Sequence, residues 1–151
     1  MPAGAPARRW RPRVGADLVD VTEVAASIER FGDRYLRRLW TDAELGACAG
    51  PDRARRLAAR FAAKEATAKV LGAPDAPLPR RSIEVVRGAD GRPGLALHVE
   101  AAALAAAGGL ADFDVTLSHE RDLAIAVVTA VQDDPRSVPP RGAGRHPGGD
   151  E

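Results

Sequence analysis

The sequence predicts an α+β domain, an antiparallel sheet with helices packed on one face. Two observations carry this. The first half repeats apolar residues at helical spacing, as in TEVAASIERF, where Val24, Ile28 and Phe31 share one stripe. The second half alternates at strand spacing: Phe113, Val115 and Leu117 face one way, Asp114, Thr116 and Ser118 the other. At 151 residues the chain suits one domain with a sizeable core.

Taken in order, residues 1–12 are Pro, Ala and Arg without a period and read as a loose arm. VGADLVDV (14–21) is a strand closing at Thr22, the expected N-cap of the first helix, which stops at Gly32. Asp33 is placed to cap a second helical segment through Trp40. TDAE (41–44) has the Thr-x-x-Glu spacing of a capping box. A long helix follows from about Asp52 to Leu71 and ends at Gly72. SIEVVR and GLALHV flank GADGRPG, with Asp90-Gly91 as the turn signal of a hairpin. EAAALAAAGG is a short helix, DFDVTLSH a strand, and 123–131 a final strand apolar enough to be central. The domain proper is therefore 13–131, and the tail 132–151 has too few apolar side chains to fold.

Composition narrows the function. A net charge of +1 argues against a globally basic nucleic-acid binder. Only Lys64 and Lys69 among the 22 basic residues are lysines, so two in one helix stand out. Cys48 is the single cysteine, which excludes a disulfide framework and a multi-cysteine zinc site and suits a reducing cytoplasm. The apolar run 123–131 is too short to span a bilayer, and the first residues lack the apolar stretch of a secretory signal. The expectation is a soluble cytoplasmic domain.

Several residues are placed for chemistry. Asp17 sits inside an apolar strand, where a carboxylate needs a partner or a cation, although a strand-end aspartate also caps turns. Gly15, two residues earlier, lets a ligand or another backbone come close. Glu65 and Lys69 share one helical face at four-residue spacing, a pairing that is also common as surface decoration. The alanines around them, Ala62, Ala63, Ala66 and Ala68, leave room for a ligand or another element. Ser118 and His119 end a strand, where they either bind a phosphate oxygen or serve an ordinary turn. No Ser-His-Asp triad is legible, and His98 and His146 have no partner pattern.

In chain order, GADLVDV, RFAAKEATAKVLG and TLSHERDLAIAVV resemble the holo-acyl-carrier-protein synthase family of 4′-phosphopantetheinyl transferases. The resemblance extends through FGDRYLRRLWTDAEL and SIEVVRGADGRPGLAL and covers roughly 13–131. It implies the fold of that family and transfer of the 4′-phosphopantetheine group from coenzyme A to a serine of an acyl carrier protein. On that resemblance Asp17 and Glu65 hold Mg²⁺ against the pyrophosphate, a donor set that Mg²⁺ accepts. Glu65 takes the serine proton directly or through a water on the metal, and Lys69 contacts the transferring phosphate. Ser118 and His119 bind the nucleotide's phosphates, with Arg60 and Lys64 as further contacts, and 3′,5′-ADP leaves.

Two departures stand out. The family usually has a Gly-Thr-Gly-like loop where this chain has GAPDAPLPRRS, whose arginines are placed to replace backbone donors. Glu23 stands where members often carry a basic residue, leaving Arg30, Arg34, Arg37 and Arg38 as the docking face for a fatty-acid or polyketide carrier protein. The resemblance further implies a homotrimer with sites shared between subunits. Two other classes remain: a silent module of the same fold that binds coenzyme A or a carrier, and an arginine-armed nucleic-acid binder. Retention of Asp17, Glu65 and Lys69 weighs against the first, and the absence of an aromatic stacking series against the second.

Overall fold

The computed structural model describes residues 9–134, and the rest of the predicted arm and tail, His146 included, lies outside them. The elements run β1 (Trp10–Asp20), α1 (Val21–Phe31), α2 (Asp33–Leu39), α3 (Asp42–Ala47) and α4 (Arg53–Val70). A short 3-10 turn (Arg80–Ser82) leads into β2 (Ile83–Arg87), β3 (Pro93–Leu97), α5 (Val99–Ala107), β4 (Leu110–Glu120) and β5 (Leu123–Asp133).

The α+β class is as read, with every strand pair antiparallel, but the strands form two sheets rather than one. β5 is central in the order β1-β5-β4, as its apolar content suggested. The β2-β3 hairpin lies beside β4 without joining its ladder. The first and last strands are both longer than the sequence indicated. Trp10 pairs with Asp133 and Pro12 with Val131, so 10–12 and 132–133 are sheet, not arm and tail.

Local signals set most boundaries. The cap of α1 lies two residues earlier than expected, at Asp20 rather than Thr22: its Oδ1 accepts from the Thr22 amide at 2.8 Å and hydroxyl at 2.6 Å. Those bonds hold the Asp20 carboxyl below its ordinary pKa, the Thr22 hydroxyl contributing most. Asp33 lies in the first turn of α2, and Gly32, with φ 57°, makes the corner before it. The capping box at Thr41 and Glu44 is present in full.

α4 packs across β1 and β5 and defines the main core. Gly15 makes that close approach possible, since a Cβ there would lie 2.2 Å from the Ala66 carbonyl oxygen. Ala62, Ala63, Ala66 and Ala68 are all buried. Of the two expectations, a ligand or another element, the second holds: they do not open room for a cofactor but let the helix sit against the sheet. Trp40 closes one end, fully buried, with its indole N–H on the Leu57 carbonyl at 3.2 Å and Tyr35 edge-on at 5.4 Å. The sheet's other face carries exposed Val14, Leu18, Leu123 and Ile125. Among the described residues no helix is long and apolar enough to cross a membrane.

Candidate active site

α4 carries Lys64, Glu65 and Lys69, and its helical period separates them. Lys64 turns inward and is fully buried. Its ammonium donates to Glu44 Oε2 at 2.7 Å, to the Arg80 carbonyl at 3.0 Å and to the Ile83 carbonyl. All three donors are then used. Glu44 is equally committed: Oε2 also closes the capping box on the Thr41 amide at 2.9 Å, and Oε1 accepts from the Val85 amide at 3.0 Å. Burial pushes the Lys64 pKa down, and the Glu44 carboxylate opposes it. Lys64 is therefore not a cofactor contact. It is a pin joining α3, α4 and β2 in the interior, and its partner lies too far away in sequence for any local pattern to show it.

Glu65 and Lys69 project from the open side of the same helix. Lys69 Nζ lies 3.0 Å from Asp17 Oδ1 and donates to the Ala16 carbonyl at 2.7 Å. Gly15 brings β1 against Ala66, and two residues further along the strand Asp17 meets Lys69. Glu65 has a partner that the sequence reading did not single out. Arg80 grips it with both arms of its guanidinium, Nε to Oε1 at 2.5 Å and Nη2 to Oε2 at 3.2 Å. Arg80 is itself aimed by the Leu78 carbonyl at 2.9 Å and lies in the proline-rich loop that departs from the family pattern. That departure was the available signal.

A cleft of about 770 Å³ lies between α3, the first half of α4 and the β2-β3 hairpin. Arg56, Arg60, Arg87 and His119 line it with Glu84 and Leu117, so it is cationic on balance. Arg60 and His119, both expected to meet phosphate, are thus brought together. Arg56 and Arg87 join them and carry no sequence motif of their own. Asp17, Glu65 and Lys69 are not in this lining. Ser118 is separated from His119, because neighbouring strand residues point to opposite faces. Ser118 pairs with Ile125 on the exposed face of the sheet, while His119 pairs with Ala124 on the helix side. Within one chain they are not a joint phosphate clamp. Arg30, Arg34, Arg37 and Arg38 are all exposed, with Arg30 stacked on Phe31 at 5.0 Å.

Residues 13–128 match the model of the 4′-phosphopantetheinyl transferase superfamily. The chain belongs to that superfamily. Curated relatives are holo-[acyl-carrier-protein] synthases: that of Frankia casuarinae is 46% identical over 117 residues, covering 78% of this chain and 94% of the relative. The synthase of Gloeobacter violaceus is 40% identical over 121 residues, covering 79% and 92%. Among solved structures, the ACPS-CoA complex of Chronobacterium ammoniagenes superposes with a TM-score of 0.73 at 27% identity, covering 82% of this chain and 99% of that one. The Helicobacter pylori synthase in complex with coenzyme A gives 0.67 at 26%, covering 76% and 96%. The resemblance read from three motifs is thereby established, and the protein is a phosphopantetheinyl transferase.

The donor chemistry fits the divalent ion that the resemblance implied. Asp17 and Glu65 supply hard carboxylate oxygens, both only partly exposed. Among the described residues no group of three or more His, Cys, Asp or Glu gathers into a self-sufficient metal cage. Two carboxylates suffice for Mg²⁺ when phosphate oxygens and water complete its shell.

Proposed function

We propose that this transferase moves the 4′-phosphopantetheine group of coenzyme A onto a serine of an acyl carrier protein and releases 3′,5′-ADP. The observation that carries the reading is the open face of α4. There two carboxylates, Asp17 and Glu65, each sit against one cation, in a chain of this family. Asp17 and Glu65 would hold Mg²⁺, which when bound supplies charge neutralisation to the phosphates.

The chain's own residues do the rest. The serine oxygen forms the new bond to the β-phosphorus as the bond from that phosphorus to the nucleotide's phosphate breaks. Glu65 accepts the serine proton, and Lys69 offers its ammonium to the phosphate oxygens where charge accumulates. The Arg56, Arg60, Arg87 and His119 cleft suits the nucleotide's phosphates. Incubating an apo carrier protein with coenzyme A and Mg²⁺ is expected to add the mass of one phosphopantetheine group, and chelation to prevent it. No gain on fatty-acid or polyketide carriers would favour a silent binding module instead.

Assembly and docking belong to the same reading. The exposed apolar face of Val14, Leu18, Leu123 and Ile125 supports burial against further copies in a trimer, with Ser118 on that face. Light scattering that finds a monomer at assay concentration rejects this. The exposed arginines of α1 and α2 suit an acidic carrier, and reversing Arg34 and Arg38 to Glu should raise the carrier KM and flatten its salt dependence. An unchanged KM across a salt series removes that face. A cytoplasmic setting fits Cys48, free and buried.

A further inference from the structure

We infer that Arg80 is a built-in counter-ion that occupies Glu65 until a divalent cation displaces it. The inference rests on Glu65 being a metal carboxylate, and it assigns a positioning role to a residue outside the family motifs.

The geometry is specific. A guanidinium fork that takes both oxygens of one carboxylate leaves few lone pairs for a cation, and Arg80 takes both at 2.5 and 3.2 Å. The pair is shielded enough to matter, the two side chains being 13% and 23% exposed. It is not a closed structural pair, because neither partner is fully buried and, among the described residues, the Glu65 carboxylate has no other hydrogen-bond partner. Arg80 cannot simply drift away. Its Nη1 donates to the Leu78 carbonyl, and the loop holding it contains Pro74, Pro77 and Pro79. Its own carbonyl accepts from buried Lys64, which ties its backbone to the interior. The side chain swings from an anchored backbone.

Asp17 is also paired, through one oxygen only, with Lys69. Both metal carboxylates are thus neutralised by the chain itself. A divalent ion must compete with two cations, and it does so best when an incoming pyrophosphate offers those cations replacement oxygens. Guanidinium binds phosphate in the same two-armed manner as carboxylate. Metal and coenzyme binding should therefore reinforce one another, and the coupling must run equally in both directions.

The test measures Mn²⁺ binding to the full chain by the electron paramagnetic resonance of free Mn²⁺, with and without coenzyme A. Wild type, Arg80→Gln, Arg80→Lys, Glu65→Gln and the Arg80→Gln/Glu65→Gln double variant are compared. Without coenzyme, Arg80→Gln should bind Mn²⁺ about tenfold more tightly than wild type, the scale of one charge-assisted pair. The double variant should lose that gain. Coenzyme A should tighten Mn²⁺ binding more in wild type than in Arg80→Gln. Circular dichroism checks folding. If Arg80→Gln does not fold, Arg80→Lys, which keeps the charge but not the fork, should still bind more tightly than wild type by about twofold. Glu65-dependent Mn²⁺ binding that neither Arg80 variant tightens overturns the counter-ion role alone. Mn²⁺ binding independent of Glu65 in every case, coenzyme present, overturns the metal reading and this inference together.

Discussion

One helix carries two kinds of ion pair, and they differ in what surrounds them. Inside, Lys64 and Glu44 are both fully buried, all three lysine donors are engaged and both carboxylate oxygens accept. Outside, Lys69–Asp17 and Arg80–Glu65 are partly exposed, and each carboxylate is paired with a cation across the open face. Each is a basic side chain against a carboxylate. A closed pair costs desolvation and returns fixed geometry. An open pair costs little and leaves room for exchange. The proposed chemistry uses the open side of α4, and the closed side is architecture.

The sharpest way to break the comparison is to unbalance the closed pair. Glu44→Gln leaves the Lys64 ammonium buried without a counter-charge, and denaturant unfolding should show a loss of about 3–5 kcal/mol. Transfer per folded molecule should change by no more than about twofold. A full-strength fold with failed transfer would reverse the roles assigned to the two sides.

Gly15→Ala tests the joint between the two sides. The new methyl would meet the Ala66 carbonyl oxygen at 2.2 Å, so β1 must shift from α4 and carry Asp17 away from Lys69. The expected cost is about 1–3 kcal/mol, with a larger proportional loss of transfer. Equal losses in both would mean that Asp17 and Lys69 tolerate displacement.

The smallest expected effect concerns Cys48, also on the closed side. Burial pushes its thiol above the ordinary 9.0, so the folded state keeps a proton that the unfolded chain releases. Its contribution is complete below pH 9.0 and is lost as pH rises toward the raised folded value. Cys48→Ala should flatten that part of the alkaline stability profile, as read by thermal unfolding between pH 8 and 10. An unchanged slope removes the thiol from the account.

How much of this was legible depended on the range of the interaction. The capping box at Thr41 and Glu44 is a four-residue pattern and was found; the same Glu44 holding Lys64 spans 20 residues and was not. Lys64 therefore read as a ligand contact when it is a buried pin. The α4 alanines read as space for a ligand or another element because composition shows small side chains but not what fills the gap beside them. Period-2 alternation marked Phe113, Val115 and Leu117 correctly, and it also implied that Ser118 and His119 diverge, which pairing them by motif obscured. The division into two sheets follows from where the hairpin docks beside β4, a packing outcome with no local signature. Arg80 was visible only as an oddity, an arginine where the loop departs from its family.

Group transfer is proposed to run on the open face of α4 through Glu65. Single-turnover transfer by Glu65→Gln, followed by the mass of the carrier protein with saturating Mg²⁺ and coenzyme A, tests it most directly. The expected rate is at least about a hundredfold below wild type, with the circular dichroism of a folded protein, because removing a catalytic base costs that much, while the glutamine amide oxygen still accepts from Arg80 in this partly exposed pair. A folded Glu65→Gln protein that modifies the carrier at the wild-type rate would contradict it.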